Sequence, residues 1–244
     1  MENKKVILIT GASRGIGKSI AKELALAGNI VIANYKSSDD RANSLKSEVN
    51  ELGKEIEIYK ADVSNRDEVE KMVEYIIGKY GKIDVLINNA GISFVKMFTD
   101  VTDDDWNYVL NNNLYSVFCV SQAVAKNMLK EHKGCIINMS SIFGVIGASC
   151  ESIYAVTKAG IDGLTKSLAK EFSYSNIRVN SIAPGLIDTE MNNDLSEEDI
   201  KGIEEEIPLK RMGKPEELVG VVKMLMENEY ITGQVLEVNG GWHI

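Results

Sequence analysis

The chain is poor in the residues that several enzyme classes depend on. It has three cysteines, Cys119, Cys135 and Cys150, with no CxxC pair among them, and an odd number cannot all pair internally. That usage points to a reducing compartment. Its two histidines, His132 and His243, lie far apart with no Cys/His cluster, so no catalytic zinc, and no metal of any kind, is expected. Positive charge is in deficit: 27 Lys and Arg against 36 Asp and Glu leave a net charge of −9. An acidic chain of this kind is unsuited to broad nucleic-acid binding or to adhesion on anionic membranes, so neither partner is expected. Long hydrophobic runs are also missing. The run near the amino terminus, Val6–Ile9, is too short for a signal-peptide core and far too short to span a bilayer, so the protein reads as cytoplasmic. No low-complexity linker interrupts the 244 residues, which read as one domain, 1–244, with a large core.

What is present is an alternation of short apolar runs with longer amphipathic stretches. Strands are predicted at Lys5–Thr10, Asn29–Tyr35, Ile56–Ala61, Ile83–Asn88, Gly134–Met139, Ile177–Ala183 and Gln234–Val238. Helices are predicted at Lys18–Ala27, Ala42–Leu52, Val69–Tyr80, Ile153–Phe172 and Pro215–Met226, with a long helical region at Asp104–Lys130. Such βαβ units make a parallel sheet with helices on both faces, an α/β doubly wound (Rossmann-type) fold. Leu186–Lys210 breaks the rhythm: it is polar, acidic and without a strand, and residues 186–210 are read as a lid over a substrate site.

Three features carry chemistry. Thr10-Gly11-Ala12-Ser13-Arg14-Gly15-Ile16-Gly17 joins the first strand to the first helix. Its glycines allow close backbone approach, and the helix terminus offers N–H groups to a pyrophosphate. The spacing is GxxxGxG, not the commoner GxGxxG. Tyr154 and Lys158, four apart on one helix, share a face, where an ammonium can lower the pKa of a phenol. Ser140-Ser141 closes the fifth strand on the side where open α/β sheets bind ligands. Tyr75 and Lys79 repeat the YxxxK spacing, but their helix end leads into a strand, on the opposite side of the sheet, and they read as a solvated surface pair. Asn88-Asn89-Ala90-Gly91, Asn113 and Pro184-Gly185 complete the set.

Together, in order and in spacing, these residues resemble the short-chain dehydrogenase/reductase family over essentially the whole chain. The resemblance implies a seven-stranded sheet and a tetrad of Asn113, Ser141, Tyr154 and Lys158. Tyr154 would be the general acid, Lys158 would lower its pKa and bind the nicotinamide ribose, Ser141 would orient the substrate carbonyl, and Asn113 would support a proton-relay water. Cofactor contacts implied are Gly11, Ser13, Arg14, Gly15, Ile16, Gly17, Lys36, Ser37, Asp62, Val63, Asn89, Ala90, Gly91, Tyr154, Lys158, Pro184, Gly185, Ile187 and Thr189. NADP(H) is expected, because the position after the second strand is Tyr35 followed by Lys36-Ser37-Ser38, with Arg14 nearby, where NAD enzymes place a carboxylate. A homotetramer is implied as well.

Within the family the chain is most similar to bacterial 3-oxoacyl-acyl-carrier-protein reductases of fatty acid biosynthesis, which act on a carrier-bound carbonyl. Where that group carries two carrier-docking arginines, this chain has His132 and Ser175. Gly147–Glu151 and Glu205–Leu209 resemble instead reductases of a ketone modification on elongation factor P, and a non-catalytic dinucleotide-binding scaffold is a third reading.

Overall fold

A computed structural model of the chain describes residues 4–193 and 195–244, so residues 1–3, at the start of the domain 1–244, and residue 194, inside the segment 186–210 expected to be a lid, lie outside the described residues. Seven parallel strands form one sheet in the order β3-β2-β1-β4-β5-β6-β7. They are β1 (Val6–Ile9), β2 (Ile30–Tyr35), β3 (Glu57–Lys60), β4 (Val85–Asn88), β5 (Gly134–Met139), β6 (Ile177–Pro184) and β7 (Val235–Val238). The helices are α1 (Gly15–Leu26), α2 (Asp39–Glu51), α3 (Arg66–Tyr80), α4 (Asp103–Leu110), α5 (Ser116–Glu131), α6 (Ile142–Ile146), α7 (Ser152–Phe172), α8 (Glu197–Glu206) and α9 (Pro215–Glu227). Among the described residues no helix is long and apolar enough to cross a membrane.

All four residues of β1 are buried, as expected of a strand covered on both faces. Ile7, Ile9, Val31, Ile87 and Ile137 pack with α1, α2 and α9. Leu8, Ile32, Leu86, Ile136 and Val179 pack on the other face with α3, α5 and α7. Strand order reverses between β1 and β4, which pair at Leu8↔Leu86, so a crevice opens beyond their carboxyl ends.

Two residues further along each strand, the second apolar row turns polar. Asn34, Thr10, Asn88, Asn138 and Ser181 are all buried. Buried polar groups need partners; each of these residues has at least one, and Asn88 Oδ1 is left without a partner among the described residues. Asn34 Nδ2 donates to Ala61 O at 3.0 Å, Asn88 Nδ2 to Asn138 Oδ1 at 2.8 Å, Asn138 Nδ2 to Thr165 Oγ1 at 2.9 Å and Ser181 Oγ to Asp162 Oδ1 at 2.7 Å. This row is the polar floor under the crevice.

The elements match the sequence pattern with shifts of a few residues at their ends. Three details go beyond it. The long helical region contains a π-turn at Asn111–Tyr115 between α4 and α5. The short helix α6 follows Ser141 directly. The segment 186–210 carries α8, whose start is fixed by a capping box between Ser196 and Asp199.

Candidate active site

The glycine loop is pressed onto the end of β4. Gly11 sits at φ 63, and a Cβ there would lie 2.8 Å from Ala90 Cα. A Cβ on Gly17 would lie 2.4 Å from Asn89 Nδ2. That amide donates to Thr10 O and Gly11 O, both at 3.0 Å, while Thr10 Oγ1 accepts from the backbone N–H groups of Asn89 and Ala90. Asn89 and Ala90 therefore set the shape of the loop, a duty that the motif alone does not disclose. The N-cap of α1, Arg14, makes no side-chain capping bond, and the first turn holds no acid. Its N–H groups, with the positive end of the helix dipole, suit an anion such as pyrophosphate. The site thus fits a dinucleotide. Ser13 and Ile16 are half-buried and Arg14 is exposed. A Cβ on Gly15 would touch Thr189 Cγ2 at 3.4 Å, so the start of the segment 186–210 lies against the loop. Ile187 is buried in the core, and Gly185 donates its N–H to Val238 O at 2.9 Å, holding the Pro184-Gly185 turn against β7.

At the end of β2, the hydroxyl of Tyr35 donates to Asp39 Oδ1 at 2.9 Å, and Asp39 is ion-paired with Lys60 at 2.6 Å. The first carboxylate after β2 is thereby held by side chains of β2 and β3. Lys36 and Ser37 are exposed, but Lys36 is paired with Asp62 at 2.8 Å. Burial pushes the Asp62 carboxyl up, yet Lys36 and Ser64 together hold it below its usual range. Val63 is buried beside it. No spacing rule foretells the Lys36–Asp62 pair.

The four tetrad positions converge at the carboxyl ends of β4 and β5. Lys158 Nζ donates to Met139 O at 2.9 Å and stands 5.4 Å from the centre of the Tyr154 ring. A Cβ on Gly91 would lie 3.3 Å from Asn113 Oδ1 and 3.7 Å from Lys158 Nζ, so Gly91 keeps the floor between them open. An amide within a helix is normally on the solvated face, but Asn113 is wholly buried. The π-turn swings it inward, a common use of such turns at functional sites. Its Oδ1 accepts from Ile92 N at 2.8 Å and its Nδ2 donates to Ile92 O at 2.9 Å, tying the helix to the loop after β4. Ser141, the N-cap of α6, accepts from Phe143 N through its hydroxyl.

Burial pushes the Tyr154 phenol up to about 12, a hydrogen bond with Ser141 pulls it the other way, and the Glu151 carboxylate adds to the rise. Burial also drives the Lys158 ammonium down to about 8, opposed by Asp162. Asp162 continues the Tyr154–Lys158 face by one more turn and bonds Ser181. The sequence reading passed over it, although the i, i+4, i+8 spacing was there to be seen.

The second YxxxK pair is elsewhere. Tyr75 is exposed, and both Tyr75 and Lys79 are bound to Glu57 at the start of β3. A cleft of about 630 Å³ runs behind the glycine loop, lined by Gly15, Lys18, Asp188, Thr189 and Glu190, and does not reach Tyr154. Cys119 and Cys135 are buried and free, and Cys150 is half-buried and free.

Comparison with known proteins agrees with this geometry. Residues 5–200 match the model of the short chain dehydrogenase family. A 3-oxoacyl-[acyl-carrier-protein] reductase (FabG) of Thermotoga maritima is 43% identical over 239 residues, covering 97% of each chain. The Staphylococcus epidermidis protein of the same name is 40% identical over 242 residues, 98% of this chain and 99% of the relative. A 3-oxoacyl-[acyl-carrier-protein] reductase of Synechocystis is 41% identical over 240 residues, 97% of this chain and 96% of the relative. Matched from its first strand through the segment beyond β6, and at this identity to relatives of equal length, the chain belongs to the short-chain dehydrogenase family of oxidoreductases.

Proposed function

We propose that this chain is an NADPH-dependent 3-oxoacyl-[acyl-carrier-protein] reductase of fatty acid biosynthesis. The convergence of Asn113, Ser141, Tyr154 and Lys158 beside Gly91 is the observation that carries the reading. The named relatives at 39–43% identity support the substrate class.

The glycine loop and the uncapped start of α1 would hold the pyrophosphate of the cofactor, with Gly91, Pro184, Gly185 and Thr189 along its path. When bound, the reduced nicotinamide supplies the hydride. Ser141 Oγ orients the substrate carbonyl, and Tyr154 Oη donates the proton that its oxygen takes up. A phenol at about 12 keeps its proton at neutral pH, as an acid must. The Lys158 ammonium stabilises the phenolate left behind and binds the nicotinamide ribose, while Asn113 holds the loop after β4 and supports the water that returns the proton. NADPH over NADH is supported by exposed Arg14, Lys36 and Ser37 and by Asp39 being committed to Lys60 and Tyr35.

The segment 186–210 serves as a substrate lid within a single domain. A homotetramer is supported by the exposed Trp106, Tyr108, Phe118 and Val156 on α4, α5 and α7, apolar surface of the kind that marks interfaces. The cytoplasm is the compartment in which this chemistry and three free thiols fit. The test is cofactor oxidation with a 3-oxoacyl thioester on acyl carrier protein. Turnover with NADPH well above that with NADH supports the reading. Tight NADPH binding without thioester turnover overturns the substrate, and a stable monomer in sedimentation overturns the assembly.

A further inference from the structure

The segment 186–210 is held at its two ends by different means. Its start rests on the core, where Ile187 is buried and Thr189 lies against the glycine loop. Its far half is α8, and of the described residues of that helix, Glu197–Glu206, none is buried. A helix of ten residues is marginal by itself, and one that buries so little depends on the contacts at its ends. The carboxyl end of α8 is held by the tail of the chain.

Beyond β7 the tail folds onto residues 207–209. Gly240 and Gly241 stand at φ 66 and 86, and a Cβ on them would lie 2.8 Å from Ile207 Cγ2 and 3.1 Å from Pro208 Cγ. Glycine allows both the turn and the approach. Gly240 O accepts from Leu209 N at 3.2 Å, and Asn239 Oδ1 accepts from Gly241 N at 2.8 Å. This turn delivers Trp242, half-buried, between two helices. Its indole N–H donates to Glu206 Oε2 at 3.2 Å, on the last residue of α8. Its ring meets Phe143 edge-on, with centroids 5.6 Å apart. Phe143 lies in the first turn of α6, and its backbone N–H donates to Ser141 Oγ at 3.2 Å. Trp242 thus joins α8 to the helix that begins at Ser141.

We propose that Trp242 is a positioning residue of this site, a latch that holds the carboxyl end of α8 to α6 and so keeps the substrate beside Ser141. This inference rests on the reading of 186–210 as the lid of a carbonyl reductase. A lid must open at every turnover. The latch is weak enough to allow it, since one edge-on aromatic contact and one hydrogen bond to an exposed carboxylate join the two helices.

Two readouts on the full chain test it. Backbone amide exchange in α8, measured without ligands, is expected to quicken about five- to tenfold in Trp242→Ala, with β4 and β5 unchanged. In reduction of a 3-oxoacyl thioester by NADPH, the KM for the thioester should rise by about the same factor, while kcat and the KM for NADPH stay within about twofold. A merely structural loss would lower kcat by reducing the amount of folded enzyme and would leave KM alone. Trp242→Phe keeps a ring but loses the N–H, and Glu206→Ala removes the acceptor. Each should raise the thioester KM about two- to fivefold, and the double variant no more than either alone, because both delete one bond. These milder variants carry the test if Trp242→Ala fails to fold. Unchanged exchange in α8, an unchanged thioester KM, or single effects that multiply in the double variant overturns the latch. Quickened exchange in α8 of a protein whose wild-type form reduces no thioester supports the latch and overturns the reductase reading instead.

Discussion

The YxxxK spacing occurs twice in this chain, and its two copies end in opposite electrostatic states. On α3, Tyr75 and Lys79 lie at the amino-terminal side of the sheet, open to solvent. There Glu57 accepts from Lys79 at 3.0 Å and from the Tyr75 hydroxyl, and it raises the lysine pKa. On α7, Tyr154 and Lys158 lie at the carboxyl side, buried, and the lysine faces a neutral carbonyl. Burial lowers that lysine to about 8 and lifts its tyrosine to about 12. Identical spacing places two side chains on one helix face and does no more. Solvent and partners decide whether the pair is a surface clamp or a reactive group.

The largest test of this contrast is removal of each hydroxyl. Tyr154→Phe is expected to lower kcat by about 10²–10⁴-fold, the usual worth of a positioned acid, with cofactor binding retained. Tyr75→Phe should leave kcat within about twofold, since its hydroxyl serves Glu57 and Lys79 at the surface, away from the site. Comparable losses in steady-state reduction assays would erase the distinction between the two pairs.

Removing each ammonium should change stability with opposite signs. Lys158 falls from 10.5 in the unfolded chain to about 8 in the fold, so below pH 8 the fold bears the full cost of a buried charge. That cost fades as pH rises from 8 towards 10.5, where only the unfolded chain is still protonated. Lys158→Met is therefore expected to stabilise the protein at neutral pH by about 1–3 kcal/mol while abolishing turnover, and the gain should shrink as the pH is raised. Lys79, whose pKa is raised, contributes stability that is present below its unfolded pKa and lost as pH climbs through the folded one. Lys79→Met should thus destabilise slightly, and less so in high salt. Denaturant titrations across pH read both signs.

The smallest test uses the glycines beside the two pairs. A Cβ on Gly78 in α3 meets nothing within 4 Å, so Gly78→Ala is expected to stabilise by about 0.5–1 kcal/mol. A Cβ on Gly160 in α7 would lie 3.0 Å from Leu114 Cδ2 in the π-turn that holds Asn113. Gly160→Ala should forfeit that gain and lower kcat a few-fold. Thermal unfolding with parallel activity assays separates the two.

Much of the molecule could be read from the chain. The strands announced themselves as apolar runs because both faces of a parallel sheet are covered, and the helices as amphipathic stretches. The glycine loop, Ser141 and the Tyr154–Lys158 pair were readable from position, since each sits where a strand gives way to a helix at the ligand-binding side. The same logic assigned Tyr75 and Lys79 to the surface. Less was readable where a contact joins distant residues. The spacing could not show how Asn113 is buried, because helical periodicity assumes a regular helix, and one π-turn turns it inward. The Asn89 amide bonds the carbonyls of Thr10 and Gly11, some eighty positions away, a contact that no spacing discloses.

The sequence by itself determined the sheet, its winding and the end at which chemistry can occur, because backbone periodicity and chain order are local properties. Only the tertiary structure decided the charge states and the partners: Lys158 against Met139 O, Lys36 against Asp62, and Asp162 against Ser181. Those depend on desolvation and on side chains brought together from separate strands and helices, and neither leaves a trace in the spacing of residues along the chain.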